Sequence, residues 1–193
     1  MIPGALREEV ARDGETIVYV APERLLEAMT WLKETPGQEF DYLVDVTAVE
    51  FRDRERPLQV VYFLRSLARR ADLRVKVELD AGAELAVDSV WGLWHGADWL
   101  EREVFDMFGI TFRGHPDLRR ILMWETYAEG FPLRKDFPLR GRFSRAEQVR
   151  QALNANPEAH YSLDELSIAD AWGDLPDDMR ERLKRGERGT IPE

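Results

Sequence analysis

The sequence predicts an α+β fold: an N-terminal strand–helix–strand–strand–strand domain with a mainly antiparallel sheet, then a helix and an extended C-terminal arm. Three observations carry this. Residues 73–79 alternate strictly, with Leu73, Val75, Val77 and Leu79 between Arg74, Lys76 and Glu78, the signature of a strand with one face on a core and one in water. Leu25, Leu26, Met29 and Leu32 recur at helical spacing. From Gly109 to Gly141, periodicity disappears while large apolar residues persist. The expected divisions are 1–92 for the sheet domain, 93–141 for a helix and ribbon, and 142–193 for an acidic arm.

In chain order, Thr16-Ile-Val-Tyr-Val20 reads as a short β-rich strand. Pro22 fits the first turn of a helix, where its missing N–H costs nothing, and Pro36-Gly37 ends that helix. Strands follow over 42–51, 58–66 and 73–79, joined by the charged turns 52–57 and 68–71. No Gly-rich turn links strand to helix, so a dinucleotide or phosphate cradle is not expected. Asp98 can cap a helix over 99–108, with Glu101 completing a capping box. Leu100, Val104, Met107 and Phe108 form its stripe, Phe105 marks a second buried face, and Gly109 closes it. Ser144 and Glu147 suggest another capped helix reaching Ala152 or Leu153, and a second begins near Asp174 and runs to Lys184.

Composition narrows the function. There is no cysteine, which excludes disulfides, thiol nucleophiles and thiolate-held clusters or zinc. His95, His115 and His160 are too far apart in sequence to suggest an intrinsic metal site. A net charge of −10 argues against nucleic acid and against an anionic membrane surface. No apolar run spans a bilayer and the N-terminus lacks a signal-peptide pattern, so action in the cytosol or on the cytosolic side of a membrane is expected. Of 27 basic residues only Lys33, Lys76, Lys135 and Lys184 are lysine, which fits a GC-rich genome or arginine chosen for bidentate pairs.

The chemistry-bearing residues gather between Trp99 and Pro138. Glu101, Glu103, Asp106 and His115 could form a general acid–base set, and Glu103 and Asp106 share a helix face where one pKa could rise. The competing reading pairs these acids with Arg102, Arg119, Arg120 and Arg134, and the local charge balance favours it. His115, between Gly114 and Pro116, is expected to satisfy a backbone group in a turn. Ser89 and Ser144 lack a nucleophile-elbow context. Phe112, Leu118, Ile121, Leu122, Trp124, Phe131 and Phe137 in irregular chain suggest a segment ordered against a partner.

The blocks 101–122 and 130–138 resemble the signature of the thirty-kilodalton (C-type) subunit family of NADH–quinone oxidoreductase, or respiratory complex I. The likeness rests on Glu101-Arg102-Glu103, Asp106, His115-Pro116, Arg119 and Ile121-Leu122, then Gly130-Phe-Pro-Leu-Arg-Lys-Asp-Phe-Pro138, with a weaker block at Asp45-Val-Thr-Ala48. It covers about residues 15–140. The resemblance implies a peripheral-arm protein on the cytoplasmic side of a bacterial inner membrane, attached through its partners only and carrying no cofactor. FMN and iron–sulfur clusters would lie in partner subunits that pass electrons from NADH to quinone while protons are translocated. The partners implied are chiefly the D-type (forty-nine-kilodalton) and B-type subunits of the same complex. The interface residues implied by the two blocks are Glu101, Arg102, Glu103, Asp106, His115, Pro116, Arg119, Arg120, Phe131, Arg134, Lys135, Asp136 and Phe137. Two other readings stay open: the equivalent subunit of a membrane-bound hydrogenase or ferredoxin–quinone reductase, and a free-standing acid–base enzyme.

Overall fold

The computed structural model describes residues 2–155 except 12, 13, 53, 81–83 and 140. Strands β1 (Ala5–Val10) and β2 (Thr16–Val20) form an antiparallel hairpin. A 3-10 turn at Pro22–Arg24 leads into helix α1 (Leu25–Glu34), with Pro22 in the first position of that turn. The buried stripe of α1 is Leu25, Ala28, Met29 and Leu32. Leu26, expected in the core, is 41% exposed, because one helical step of about 100° carries it off that stripe. Each fully buried Leu or Met here stabilises the fold by about 1.5–3 kcal/mol.

Strands β3 (Tyr42–Glu50), β4 (Leu58–Ser66) and β5 (Ala71–Leu79) form an antiparallel meander. On β4, Leu58, Val60, Tyr62 and Leu64 face the core, and Leu73, Val75, Val77 and Leu79 continue that face on β5. The five-stranded order is β1-β2-β5-β4-β3, with β2 and β5 parallel. The sheet is thus mainly antiparallel with one parallel pair. Strand β1 has no counterpart in the sequence reading: all six of its residues are exposed, so no alternation marks it, and the hairpin ladder to β2 holds it in place.

Two short strands, β6 (Ala86–Asp88) and β7 (Thr111–Arg113), pair in parallel on either side of helix α2 (Ala97–Phe108) in sequence. Three residues each are too few to show a period. Helix α2 packs on β3. Val104, Met107 and Phe108 enter the same core as α1 and the sheet, joined by Val87, Val90, Trp94, Ile110 and Phe112. The expected division between 1–92 and 93–141 therefore runs through a shared core, and Met1–Phe143 is one compact unit. The second unit starts at Ser144. Within it helix α3 (Arg145–Ala155) begins where the Glu147 N–H bonds to Ser144 Oγ at 3.3 Å. The helix expected from Asp174 to Lys184 lies outside the described residues. Among the described residues no helix is long and apolar enough to cross a membrane.

Candidate functional site: a clamped ribbon on helix α2

Helix α2 starts earlier than its sequence suggests. Gly96 is the N-cap and Asp98 lies inside the first turn, so the expected capping box does not form. The C-terminus is as expected: Gly109 adopts φ 70°, ψ 30°, and its N–H bonds to the Phe105 carbonyl at 2.8 Å. Beside its apolar stripe the helix buries three charged side chains, Glu101, Arg102 and Asp106. Buried charge is costly unless fully satisfied, and the irregular chain after β7 supplies partners for two of them.

Asp106 is the hub. Its Oδ1 lies 2.5 Å from Arg120 Nη1. Its Oδ2 accepts three successive backbone N–H groups, from Ile121 at 3.0 Å, Leu122 at 2.8 Å and Met123 at 2.8 Å. Burial works against the charged form, but the Met123 amide, the Arg120 guanidinium and the Leu122 and Ile121 amides outweigh it and hold the carboxyl below its ordinary value. Arg120 also donates to the carbonyls of Asp106 and Gly130, with the Tyr127 and Phe131 rings 5.2 and 5.4 Å away. Arg102 donates to the Arg119 and Arg120 carbonyls at 3.2 and 3.3 Å.

The second block secures the other end of the helix. Carbonyls in the last turn of a helix lack intrahelical donors. Here Arg134 Nε donates to the Phe108 carbonyl at 2.6 Å and the Leu133 N–H to that of Met107 at 3.1 Å. Arg134 also lies 4.6 Å from the Phe131 ring centre. The Lys135 N–H reaches Glu50 Oε2 on β3 at 2.6 Å.

The expected pairing of acids with arginines therefore holds for Asp106 and fails for two others. Glu101 meets no arginine. Its Oε2 accepts the Ser89 hydroxyl at 2.6 Å and its Oε1 the Val90 N–H at 2.8 Å. Burial raises its pKa to about 7, although the Ser89 and Val90 bonds pull the other way. Glu103 is exposed and has no hydrogen-bond or ion-pair partner among the described residues, so it does not form the expected arginine pair. The raised pKa on this helix belongs to Glu101, because burial rather than a neighbouring acid is the first cause. Arg119 is exposed and pairs with Asp117 at 2.8 Å. His115 satisfies backbone groups as expected: Nδ1 accepts the Asp117 N–H at 3.1 Å and Nε2 lies 3.2 Å from the Asp98 carbonyl. Pro116, Lys135 and Asp136 are exposed, and Phe131 and Phe137 are half-buried.

Sequence reasoning missed Ser89, Val90 and Glu50 as partners of the signature. Bonds between a carboxylate and a distant backbone N–H leave no spacing rule, so no local signal could have found them. The apolar residues of the ribbon divide into two sets. Ile110, Phe112 and Tyr127 are buried, and Leu118 and Met123 pack against the core. Leu122 and Leu133 remain 60% and 53% exposed, Leu139 and Phe143 are also exposed, and on α2 itself Trp99 is 62% exposed. Among the described residues no group of three or more His, Cys, Asp or Glu could hold a metal ion.

Residues 18–143 match the family model described as respiratory-chain NADH dehydrogenase, 30 Kd subunit. The C-type subunit of NADH-quinone oxidoreductase from Azorhizobium caulinodans is 44% identical over 140 residues, covering 72% of this chain and 65% of that protein. One of the C-type subunits from Rhizobium meliloti, numbered 2, is 46% identical over 138 residues, covering 72% of this chain and 74% of that one. The chain thus spans about two thirds of the length of the first of these relatives. A solved trypsin-resistant fragment of Nqo5 superposes with a TM-score of 0.53 at 32% identity, covering 58% of this chain and 89% of that one. A chain of the membrane-bound sulfane sulfur reductase, an archaeal respiratory membrane complex, superposes at 0.59 with 22% identity, covering 77% and 83%, a likeness of fold alone. The clamped ribbon lies within the matched residues, and by that match the chain belongs to the respiratory-chain NADH dehydrogenase 30 Kd subunit family.

Proposed function

We propose that the chain is a non-catalytic peripheral-arm subunit of a proton-translocating NADH–quinone oxidoreductase. It holds the subunits that carry redox centres in fixed relative positions. FMN and iron–sulfur clusters belong to those partners, and its own neighbours are chiefly the D-type and B-type subunits. Membrane attachment runs through the partners, on the cytoplasmic side of the bacterial inner membrane.

The observation that supports this reading is the division of labour in the signature. Asp106, Arg102, Arg120 and Arg134 are consumed in holding backbone. A ribbon so fixed presents Leu122 and Leu133 outward from irregular chain, a rigid apolar surface of the kind that partner interfaces use. Glu103, Pro116, Arg119, Lys135 and Asp136 supply an exposed polar rim, and half-buried Phe131 and Phe137 stiffen the ribbon beneath. Rigidity matters because electron transfer between centres falls steeply with distance.

Co-purification of the tagged chain from membranes, with identification of the bound subunits, tests the reading. Recovery with flavin- and cluster-bearing subunits is expected. A chain that purifies alone and turns over substrate without partners would overturn it.

A further inference from the structure

The segment after β7 is fixed to α2 at a second place, one that the interface reading leaves unused. Glu101 is fully buried between the Ser89 hydroxyl and the Val90 N–H. The His115 side chain is also fully buried, with Nε2 3.5 Å from Asp98 Oδ1 and 4.0 Å from Glu101 Oε2. Because Nδ1 accepts the Asp117 N–H, the ring proton sits on Nε2, directed at the Asp98 carbonyl.

Two carboxyl groups therefore face one imidazole. Among the described residues neither is paired with a lysine or arginine. Asp98 Oδ1 is buried without a hydrogen-bond partner. From β4, the buried Tyr62 hydroxyl also lacks one and feels the charges of Glu101 and Asp88. Asp88 is itself paired with Arg113 at 2.9 Å. Arg119 feels Asp98 at longer range but is engaged by Asp117. A buried carboxylate held only by neutral donors, with a second carboxylate nearby, is short of one proton.

We propose that Ser89, Asp98, Glu101 and His115 form a buried proton-binding latch. With a proton on Glu101 the pocket is closed and holds the His115–Asp117 turn and the Ser89–Val90 segment on helix α2. Loss of that proton releases the turn. The latch is a property of this chain and does not depend on the partner reading.

The sign follows from the burial of Glu101, whose pKa is about 7 when closed against 4.5 in water. Between these values the closed form holds one proton more than the open form. Opening is therefore favoured roughly tenfold per pH unit as pH rises, and levels off above the closed-state value.

Amide hydrogen exchange on the full chain, corrected for intrinsic rates, is expected to show this slope at the His115 and Asp117 amides between pH 4.5 and 7. Glu101→Gln, which keeps an acceptor for Val90, should flatten it. An infrared titration should show a protonated carboxyl band that fades with a midpoint near 7 and is missing from Glu101→Gln. Opening independent of pH, a slope that persists in Glu101→Gln, or no such band would overturn the proposal. Should Glu101→Gln fail to fold, Ser89→Ala decides. Removing a bond that favours the ionised form must move the infrared midpoint upward, and an unmoved midpoint refutes the latch.

Discussion

The ring of Phe131 occupies the space where a side chain on Gly109 would begin: a Cβ at residue 109 would lie 2.4 Å from the nearest ring carbon. Gly109 also holds φ 70°, which L side chains adopt at a cost. The residue that ends helix α2 therefore also seats the ribbon's aromatic. Gly109→Ala is expected to destabilise the chain by about 2 kcal/mol through strain and overpacking. Adding Phe131→Ala should recover part of that loss, because the two residues share one space. Urea denaturation of the two single variants and the double variant would show it, and strictly additive losses would count against the contact.

Asp106→Ala removes one acceptor for three amides and leaves Arg120 without its carboxylate. A loss of about 3 kcal/mol is expected. Exchange protection at 121–123 should fall more than at β4 or β5. Asp106→Asn keeps an acceptor oxygen and should lose less.

Acid weakens the same clamp. The Asp106 carboxyl is held below its usual value of 3.8 in the folded chain. Its contribution is therefore present above 3.8 and is lost as pH falls through the lower folded value. Thermal melts across this range should show a shallower acid limb in Asp106→Asn than in the wild type.

Glu103 makes no hydrogen bond or ion pair among the described residues, and Arg119 pairs only with the equally exposed Asp117. Glu103→Ala should leave the stability of the chain unchanged to within about 0.5 kcal/mol. If these residues form the partner rim, Glu103→Ala and Arg119→Ala lower the amount of assembled complex. Leu133→Asp should do so more severely, because it places a charge on the apolar surface. Native gels of membranes, with NADH–quinone activity normalised to cluster content, separate assembly from turnover. Full assembly with lost turnover would contradict a positioning role.

Legibility followed the physics of each element. Strand β4 was readable to both ends, since its apolar run is bounded by charged turns, and β5 by its strict alternation. Strands β1, β6 and β7 were not, because one is wholly exposed and the others are three residues long. At the site, counting charges suggested the partner of Asp106 but misassigned that of Glu101. Arg102 and Arg134 bind carbonyls, which no charge count registers. A buried acid served by Ser89 and Val90 could emerge only once the chain returned from β6 to α2.

The single parallel pair in the sheet sets an order of assembly. Thr16 on β2 lies beside Leu73 on β5, with α1, β3 and β4 made in between. The β1–β2 hairpin thus emerges from the ribosome before β5 and waits for more than fifty residues of chain before its inner edge is covered. Local pairing of β3, β4 and β5 can run ahead, whereas docking β2 requires closure of a long loop. During that interval Ile17, Val18 and Val20 lack their final neighbours. The β1–β2 hairpin is therefore open to misassociation well before the ribbon that would meet a partner has been synthesised.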